Sequence, residues 1–284
     1  MNNKKDITAV ITSFKSENKI LDCIKSLGKD IKIIVIENSN DSQLKEKLEK
    51  EYSNLKCILS DENLGYAKGN NLGLSLVKTR FALIINPDAL VDEDTINNFL
   101  STAKLKSNFA IIAPYIQEEK NITNKKETVE GISQVKSVRG FAMFLNLDQF
   151  KNIGYFDENF FIYFEEIDLC KRLIKNNKQI FLDTNIKISH IGGSSHDNSI
   201  NDEMEKSRNW HWMWSSFYFH RKHYGYFMAL LKISPKLISS LLKTIFFKLT
   251  ANKRKKDIYY CRFDGMLNSI LLKKSWYRPN IYKS

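Results

Sequence analysis

At 284 residues, with 43% hydrophobic and 27% charged side chains, the chain can bury a sizeable core and is too apolar for wholesale disorder. The net charge of +12 is unevenly placed: residues 1–200 carry 27 basic and 27 acidic side chains, residues 201–284 carry 17 and 5. The surplus predicts a change of role near residue 200 and an anionic partner for the tail, either nucleic acid or a membrane surface. Cys23, Cys57, Cys170 and Cys261 are scattered without CxxC spacing, which reads as reduced thiols of a cytosolic protein rather than a disulfide frame or zinc site. The amino terminus leads into a strand within a few residues, so no signal peptide is expected. No run of about 18 apolar residues predicts a spanning helix.

In chain order, Ile7–Thr12 reads as a first strand. Ser16 opens a helix with Ile20, Leu21, Ile24 and Leu27 on one face, and Gly28 closes it. A strand over Ile31–Ile36 runs into the polar stretch Glu37–Asp41. A polar helix (Gln43–Tyr52) and a strand (Leu55–Leu59) follow, and the loop from Asp61 opens into a helix that contains Gly65, Gly69 and Gly73. The apolar run Phe81–Ile85 stops on Asn86-Pro87-Asp88, since Pro87 cannot donate to a sheet ladder. A helix (Asp92–Lys104) and a strand (Phe109–Ile116) continue the pattern, residues 117–135 suggest a hairpin or surface excursion, and Ser137–Leu145 is a further strand. An aromatic run then precedes Glu165, Glu166 and Asp168 at a helix start, and a last strand is expected over Gln179–Ser189. This alternation predicts right-handed crossovers and a doubly wound, mostly parallel α/β sheet.

Four predicted strand ends carry polar groups: Ser13, Glu37–Asp41, Asp61–Asn63 and Asn86–Asp88. In such a sheet they share one edge and line one crevice, where ligands bind. Carboxylates for a ribose and a metal, with Gly65 and Gly69 for close backbone approach, suit a nucleotide diphosphate. Asn86-Pro87-Asp88 on its own also reads as a turn that caps the next helix. Neither GxGxxG nor GxxxxGKS occurs there, which disfavours dinucleotide and P-loop sites.

The ordered set Glu37-Asn38-Ser39, Asn63-Leu64-Gly65-Tyr66-Ala67-Lys68-Gly69-Asn70, Asn86-Pro87-Asp88, Arg139-Gly140-Phe141, Phe156-Asp157-Glu158 through Asp168-Leu169, and His190-Ile191-Gly192-Gly193 resembles a known family. That family is the inverting nucleotide-sugar glycosyltransferases of family 2, with the GT-A (Rossmann-like) fold, and within it the rhamnosyltransferase-like branch. The resemblance spans roughly residues 6–224. It implies a catalytic domain over 1–200, with a nucleotide-sugar half to about 115 and an acceptor half over about 116–200, followed by a helical region over 201–284. Glu37 matches the base- or ribose-reading position, usually Asp. Ser13, Asn63, Gly65, Lys68 and Asn86 fall on the donor side. Asp88 matches the last acid of the Asp-x-Asp motif, whose first acid is here Asn86. That loss lowers the charge available for Mg²⁺ or Mn²⁺, and His190 matches a position that supplies a metal ligand in some members. His196 is a weaker candidate for the same task.

Inverting transfer needs one carboxylate to take the acceptor proton as the hydroxyl attacks opposite the departing diphosphate. Family position assigns that base to Glu166, with Glu165, Asp168 and Arg139 supporting the loop or acceptor, and with Asp168 holding the loop or Arg172. The plainer alternative is that all three acids only stabilise a helix dipole. The implied reaction moves a sugar, L-rhamnose from dTDP-rhamnose being the best match, onto a lipid-linked or cell-surface polysaccharide acceptor. A UDP-hexose donor and a non-catalytic nucleotide-sugar-binding relative are the alternatives.

Past residue 200, Trp210, Trp212, Trp214 and neighbouring aromatics interleave with cations, followed by a lysine-punctuated apolar segment from Tyr226 to Leu249 and by Lys253-Arg254-Lys255-Lys256. This suits helices in an anionic membrane interface with aromatics at headgroup depth, on the inner face of the cell membrane. A packed helical subdomain is compatible with that reading. Nucleic acid is disfavoured because the aromatics form no defined platform, and a homo-oligomer stays open.

Overall fold

The structure, a computed structural model, describes residues 3–115, 131–190, 196 and 198–280. It divides into two compact units. The first comprises Met1–Leu64, Gly69–Phe156 and Leu169–Asp197, the second Gly65–Lys68, Asp157–Asp168 and Asn198–Ser284. Most of the expected excursion over 117–135 lies outside the described residues.

In the first unit, β1 (Ile7–Ser13), α1 (Glu17–Leu27), β2 (Lys32–Glu37), α2 (Ser42–Glu51), β3 (Leu55–Leu59), α3 (Gly65–Ser75) and β4 (Phe81–Ile85) alternate as the pattern of apolar runs demands. All five residues of β4 are buried, which is why its run is continuous rather than alternating. In α1, Ile20, Cys23, Ile24 and Leu27 face inward, and Gly28 ends the helix at φ +76°. Asp41 caps α2 by accepting from the Leu44 amide at 2.9 Å.

The short β5 (Ala89–Val91) comes before α4 (Thr95–Leu105), so that helix starts three residues later than Asp92 predicts. Then follow β6 (Phe109–Pro114), β7 (Ile132–Gln134), β8 (Ala142–Asn146), α5 (Glu165–Lys175), β9 (Gln179–Asp183) and β10 (Ile188–His190). The last expected strand, Gln179–Ser189, is thus two strands, because the Asp183 carboxylate accepts from the Asn185 amide at 2.9 Å and turns the chain. The strand expected from Ser137 begins only at Ala142.

The main sheet runs β3-β2-β1-β4-β8-β6-β9-β7, and β5 pairs separately with β10. From β3 to β4 every pairing is parallel. β8 enters antiparallel to both β4 and β6, and β7 antiparallel to β9, so the sheet is mixed on that side. The rings of Phe81 and Phe109 both pack on Phe144 across these strands, at 5.1 and 5.8 Å. The chain leaves β1 toward β2 and β3, then returns to place β4 on the other flank of β1. That reversal is the switch point at which such sheets open a crevice at the strands' carboxyl ends.

The second unit is built on α6 (Asn201–Tyr224), α7 (Tyr226–Leu249) and α8 (Lys253–Ile270). Met213, Phe217, Ala229, Ile233 and Met266 form its core. At Gly265 a Cβ would lie 2.2 Å from the Trp210 carbonyl oxygen, so only glycine lets α8 approach α6 so closely. Of the tail aromatics expected at headgroup depth, Trp210, Trp214, Phe217 and Phe219 are buried, whereas Trp212, Tyr224, Tyr226 and Phe227 are exposed. The polar ends of the two buried indoles are satisfied within the unit, with Trp210 Nε1 donating to Asp264 at 2.7 Å and Trp214 Nε1 to the Lys273 carbonyl at 3.0 Å. Most of the unit's exposed large apolar residues lie on α7, with others on α6, on α8 and after it. No helix among the described residues is long and apolar enough to cross a membrane.

The four cysteines are buried and unpaired by disulfides. Burial, and next the nearby Asp88 charge, pushes the Cys23 thiol up, and burial raises Cys57 to about 12 and Cys261 to about 11.

Candidate active site

Of the donor-side candidates, Ser13, Glu37, Asn63 and Asn86 belong to the first unit, at or after its strand ends. Ser13 pairs in register with Glu37 and Glu37 with Leu59, so three strands end on one line. Ser13 is fully buried, and its hydroxyl has no hydrogen-bond partner among the described residues. The Glu37 carboxylate is engaged by its own loop. Oε2 accepts from the amides of Ser39 at 3.0 Å and Asp41 at 2.8 Å, and Oε1 accepts from the Ser39 hydroxyl. Its buried carboxylate therefore braces the turn 37–41.

Next to this line, α3 lies close on β1. A Cβ on Gly69 would come within 2.7 Å of Thr12 Cγ2 and 3.3 Å of Asn38 Nδ2, and one on Gly73 within 2.4 Å of Val10 Cγ1. Asn63 is half-buried just ahead of the helix. The open backbone approach expected at Gly65 is occupied: at φ +73° its missing side chain makes room for Phe161, whose carbonyl oxygen would be 2.4 Å from a Cβ and accepts from the Tyr66 amide at 2.7 Å. The absence of a side chain at Gly65 thus serves packing within the second unit. Lys68, in the same unit, is exposed.

Asn86 follows β4 and ties the edge to the antiparallel strand β8, its amide donating to the Phe141 carbonyl at 2.8 Å, while Ala89 closes a turn onto the Asn86 carbonyl at 3.1 Å. Asp88 sits in that turn, 7% exposed. The pairing of β5 with β10 sets His190 opposite Ala89, so the backbone of the second metal candidate comes beside Asp88. The ligand role of His190 falls on a side chain outside the described set, as does the Gly192-Gly193 stretch. His196 is buried. Among the described residues no group of three or more His, Cys, Asp or Glu side chains forms a cation site. A hard divalent ion taking one or two protein ligands and filling its shell with diphosphate oxygens and water fits this sparse donor set. Arg139 is exposed in the loop before β8.

The acidic cluster belongs to the second unit. Tyr163 and Phe164, both non-glycine, adopt left-handed φ of +71° and +69° immediately before Glu165, a costly pair that persists only when the surroundings enforce it. Trp212 of α6 does so, its ring 5.2 Å from each of theirs, and Phe219 packs on Phe164 at 5.5 Å. Glu165 is 4% exposed and Glu166 half-buried, and Oε2 of each is buried with no hydrogen-bond partner among the described residues. Burial raises both carboxyls above the ordinary range, and the neighbouring Glu166 charge raises Glu165 further. Burial, with both glutamates adding to it, lifts the Tyr66 phenol as well.

Asp168 is fully buried and meets two side chains from the last turn of α6: the Lys222 ammonium Nζ at 2.7 Å and His223 Nε2 at 2.8 Å. Lys222 also reaches Asp157 at 2.7 Å, which accepts from the Tyr218 hydroxyl at 2.8 Å, and these donors hold the Asp157 carboxyl below its usual range against the opposing effect of burial. Arg172 donates to the carbonyls of Ile153 at 2.9 Å, Gly154 at 3.4 Å and Tyr155. Lys222, His223 and Trp212 are functional candidates that the motifs do not mark; the signal for them was the dense aromatic-cation run of α6.

Comparison with known proteins gives a consistent result. Residues 8–170, more than half of the chain, match glycosyl transferase family 2. The low-salt glycan biosynthesis hexosyltransferase Agl10 of Haloferax volcanii is 28% identical over 198 residues, which cover 62% of this chain and 64% of that protein. The chain thus spans just under two thirds of that relative's length. The rhamnosyltransferase WbbL of Escherichia coli is 26% identical over 200 residues, covering 58% of this chain and 75% of that one. Among solved structures, a mannosyltransferase from Pyrobaculum calidifontis in complex with GDP-Man and Mn²⁺ superposes with a TM-score of 0.59 at 11% identity, over 96% of this chain and 89% of that one. GalNAc-T7 with UDP, GalNAc and Mn²⁺ gives 0.55 at 14% identity over 72% and 50%. At these identities the likeness shows the GT-A fold.

Proposed function

The chain belongs to glycosyl transferase family 2, and from that premise we propose that it transfers a sugar with inversion from a nucleotide diphosphate to a lipid-linked or cell-surface polysaccharide acceptor. L-rhamnose from dTDP-rhamnose is our assignment of the donor, supported by the match to the rhamnosyltransferase WbbL. A UDP-hexose is the competing donor.

One observation carries the catalytic reading. Glu165 and Glu166 are buried side by side after a strained turn, with carboxyl pKa values raised by burial. A carboxylate so placed is a stronger base than one in water, as removal of an acceptor hydroxyl proton requires. In this reading Glu166 takes that proton at a carboxylate oxygen, and Glu165 and Asp168 position the helix start. Ser13, the 37–41 turn held by Glu37, Asn63, Lys68 and Asn86 bind the donor, and Arg139 meets the acceptor. Asp88, with His190, would hold Mg²⁺ or Mn²⁺. When bound, the ion neutralises charge that develops on the departing diphosphate.

We assign residues 1–200 to catalysis and residues 201–284 to support of the acidic cluster and to an anionic membrane surface, on the cytoplasmic face where a lipid-linked acceptor resides. A second reading, a non-catalytic nucleotide-sugar binder, is favoured by Asn86 in place of an acid. Product formation from dTDP-rhamnose separates them. Glu166→Gln should lower kcat by about 10²–10⁴-fold with donor binding unchanged. Equal turnover by that variant would remove Glu166 as the base, and wild type that binds donor without turnover in Mg²⁺ or Mn²⁺ would favour the binder.

A further inference from the structure

Helix α7 presents two apolar faces, and only one is used inside the second unit. Ala229 and Ile233 enter the helical core, whereas Phe227, Leu231, Ile238, Leu242, Ile245 and Leu249 are between 48% and 81% exposed. Their spacings of 4, 7, 4, 3 and 4 keep them on one line along the helix. Lys232, Lys236 and Lys243 form a second row at the edge of this line, also exposed. A row of large apolar side chains beside a row of lysines is the pattern of a helix lying in a bilayer interface.

Beside that edge, α7 and α8 form a groove lined by Lys236, Ser239, Lys243, Tyr259 and Arg262. The Lys243 ammonium stands 5.0 Å from the Tyr259 ring centre and the Arg262 guanidinium 5.8 Å from the same centre, so two cations share one aromatic wall. Nothing anionic answers them: among the described residues no carboxylate lies within ion-pair distance of Lys236, Lys243 or Arg262. The Arg262 Nε–H is buried and has no acceptor, while one terminal nitrogen reaches only the Met213 sulfur, at 4.0 Å. Gathering like charges around a buried, unmatched donor is unfavourable unless an anion with several acceptor oxygens joins them. A phosphate meets that need, and a guanidinium edge is suited to two of its oxygens.

We propose that the α7–α8 groove is a binding site for the phosphate of an anionic membrane lipid headgroup, occupied when the outward apolar row of α7 enters the acyl layer. The inference deepens the membrane-surface reading given above and rests on it for the lipid. Neighbouring surfaces supply both halves of the ligand's chemistry, the apolar row of α7 for chains and the cationic α7–α8 groove for the headgroup. An oligonucleotide would use the second half alone.

The test uses the full chain and vesicles of phosphatidylcholine alone or mixed with phosphatidylglycerol. Wild type should co-sediment with the mixed vesicles and weakly with the neutral ones. Arg262→Lys keeps the charge but removes Nε–H, and should weaken binding to mixed vesicles about tenfold, a change that diffuse charge attraction does not produce. Lys236→Ala with Lys243→Ala should weaken it more than Lys253→Ala with Lys255→Ala, an equal charge loss outside the groove. Leu242→Ser with Ile245→Ser, at exposed positions, should abolish co-sedimentation yet preserve the rise in melting temperature given by inorganic phosphate. Circular dichroism melts confirm that each variant is folded.

If both groove variants bind mixed vesicles like the outside pair, the site is overturned while the membrane reading stands. Wild type that ignores mixed vesicles overturns both the lipid headgroup and that reading, and an Arg262-dependent response to inorganic phosphate would then assign the groove to free phosphate. Tighter binding of single-stranded RNA than of mixed vesicles also overturns the proposal.

Discussion

At Gly65 and Gly28 the backbone takes nearly the same left-handed φ, +73° and +76°, but the surroundings differ completely. A Cβ at Gly28 would meet nothing within 4 Å, whereas one at Gly65 would strike the backbone oxygen and ring of Phe161. Gly28→Ala should therefore cost only the conformational penalty of its φ +76°, ψ −177° backbone, about 1–3 kcal/mol. Gly65→Ala must also displace Phe161 and should cost about 3 kcal/mol or more. Denaturant midpoints measured on the two variants check the ratio. Glu165 and Glu166 make a second residue-scale prediction. A general base works deprotonated, and burial raises both carboxyls, so kcat/KM should climb with pH along an acid limb lying above the ordinary glutamate range. Glu165→Gln leaves the burial that raises Glu166 in place, so that limb should stay above the ordinary range. For stability the sign is opposite: a raised folded pKa adds stability that is fully present below the unfolded glutamate value and is lost as pH rises through the folded one. Glu165→Gln should accordingly be less destabilised than wild type as pH increases, which melting curves across that interval will report.

Among the elements, α6 carries the burden that separates this chain from a bare sheet with a tail. Its Trp212 holds the left-handed pair Tyr163-Phe164, and its last turn meets Asp168 with the Lys222 ammonium and the His223 ring. Trp212→Ala should let the pair relax and misplace the acidic cluster, lowering kcat by about 10²-fold with little change in donor KM, and Trp212→Phe should restore most of it. Steady-state kinetics on both variants decide the point. Nothing in the local pattern announces this duty, because Asp168 and His223 are 55 residues apart and an apolar-cationic run has the same appearance whether it faces lipid or a neighbouring helix. The strands over 55–59 and 81–85 were legible to the residue, since continuous apolar runs end there on turn-forming residues. β5, β7 and β10 are three residues each, too short to show a period. The reversed direction of β8 was equally hidden, because a strand's side-chain pattern reads the same both ways.

For the molecule as a whole, the motifs placed Asp88 and the glutamates at strand and helix ends, where they lie, and the structure adds a local structural task for Glu37 and Gly65. Both help to build their own surroundings, one by charge and one by its missing side chain. A ligand that binds the native state must still stabilise it by mass action. At about 100 times Kd, dTDP-rhamnose with Mn²⁺ should add about 2.7 kcal/mol, a rise in Tm of roughly 5–10 °C, and either component alone should give much less. A scanning fluorimetry series over donors and ions reads this directly.

The burial of Cys23, Cys57, Cys170 and Cys261, with three of the thiols held well above their ordinary pKa, has a practical corollary. Thiolates are the species that alkylating probes attack, so the native chain should stay dark to maleimides while folded. A single cysteine introduced at an outward α7 position such as Leu242 would then be the one bright site on the molecule. An environment-sensitive dye attached there would report, by its emission colour, when that position leaves water, without any native cysteine having to be removed first.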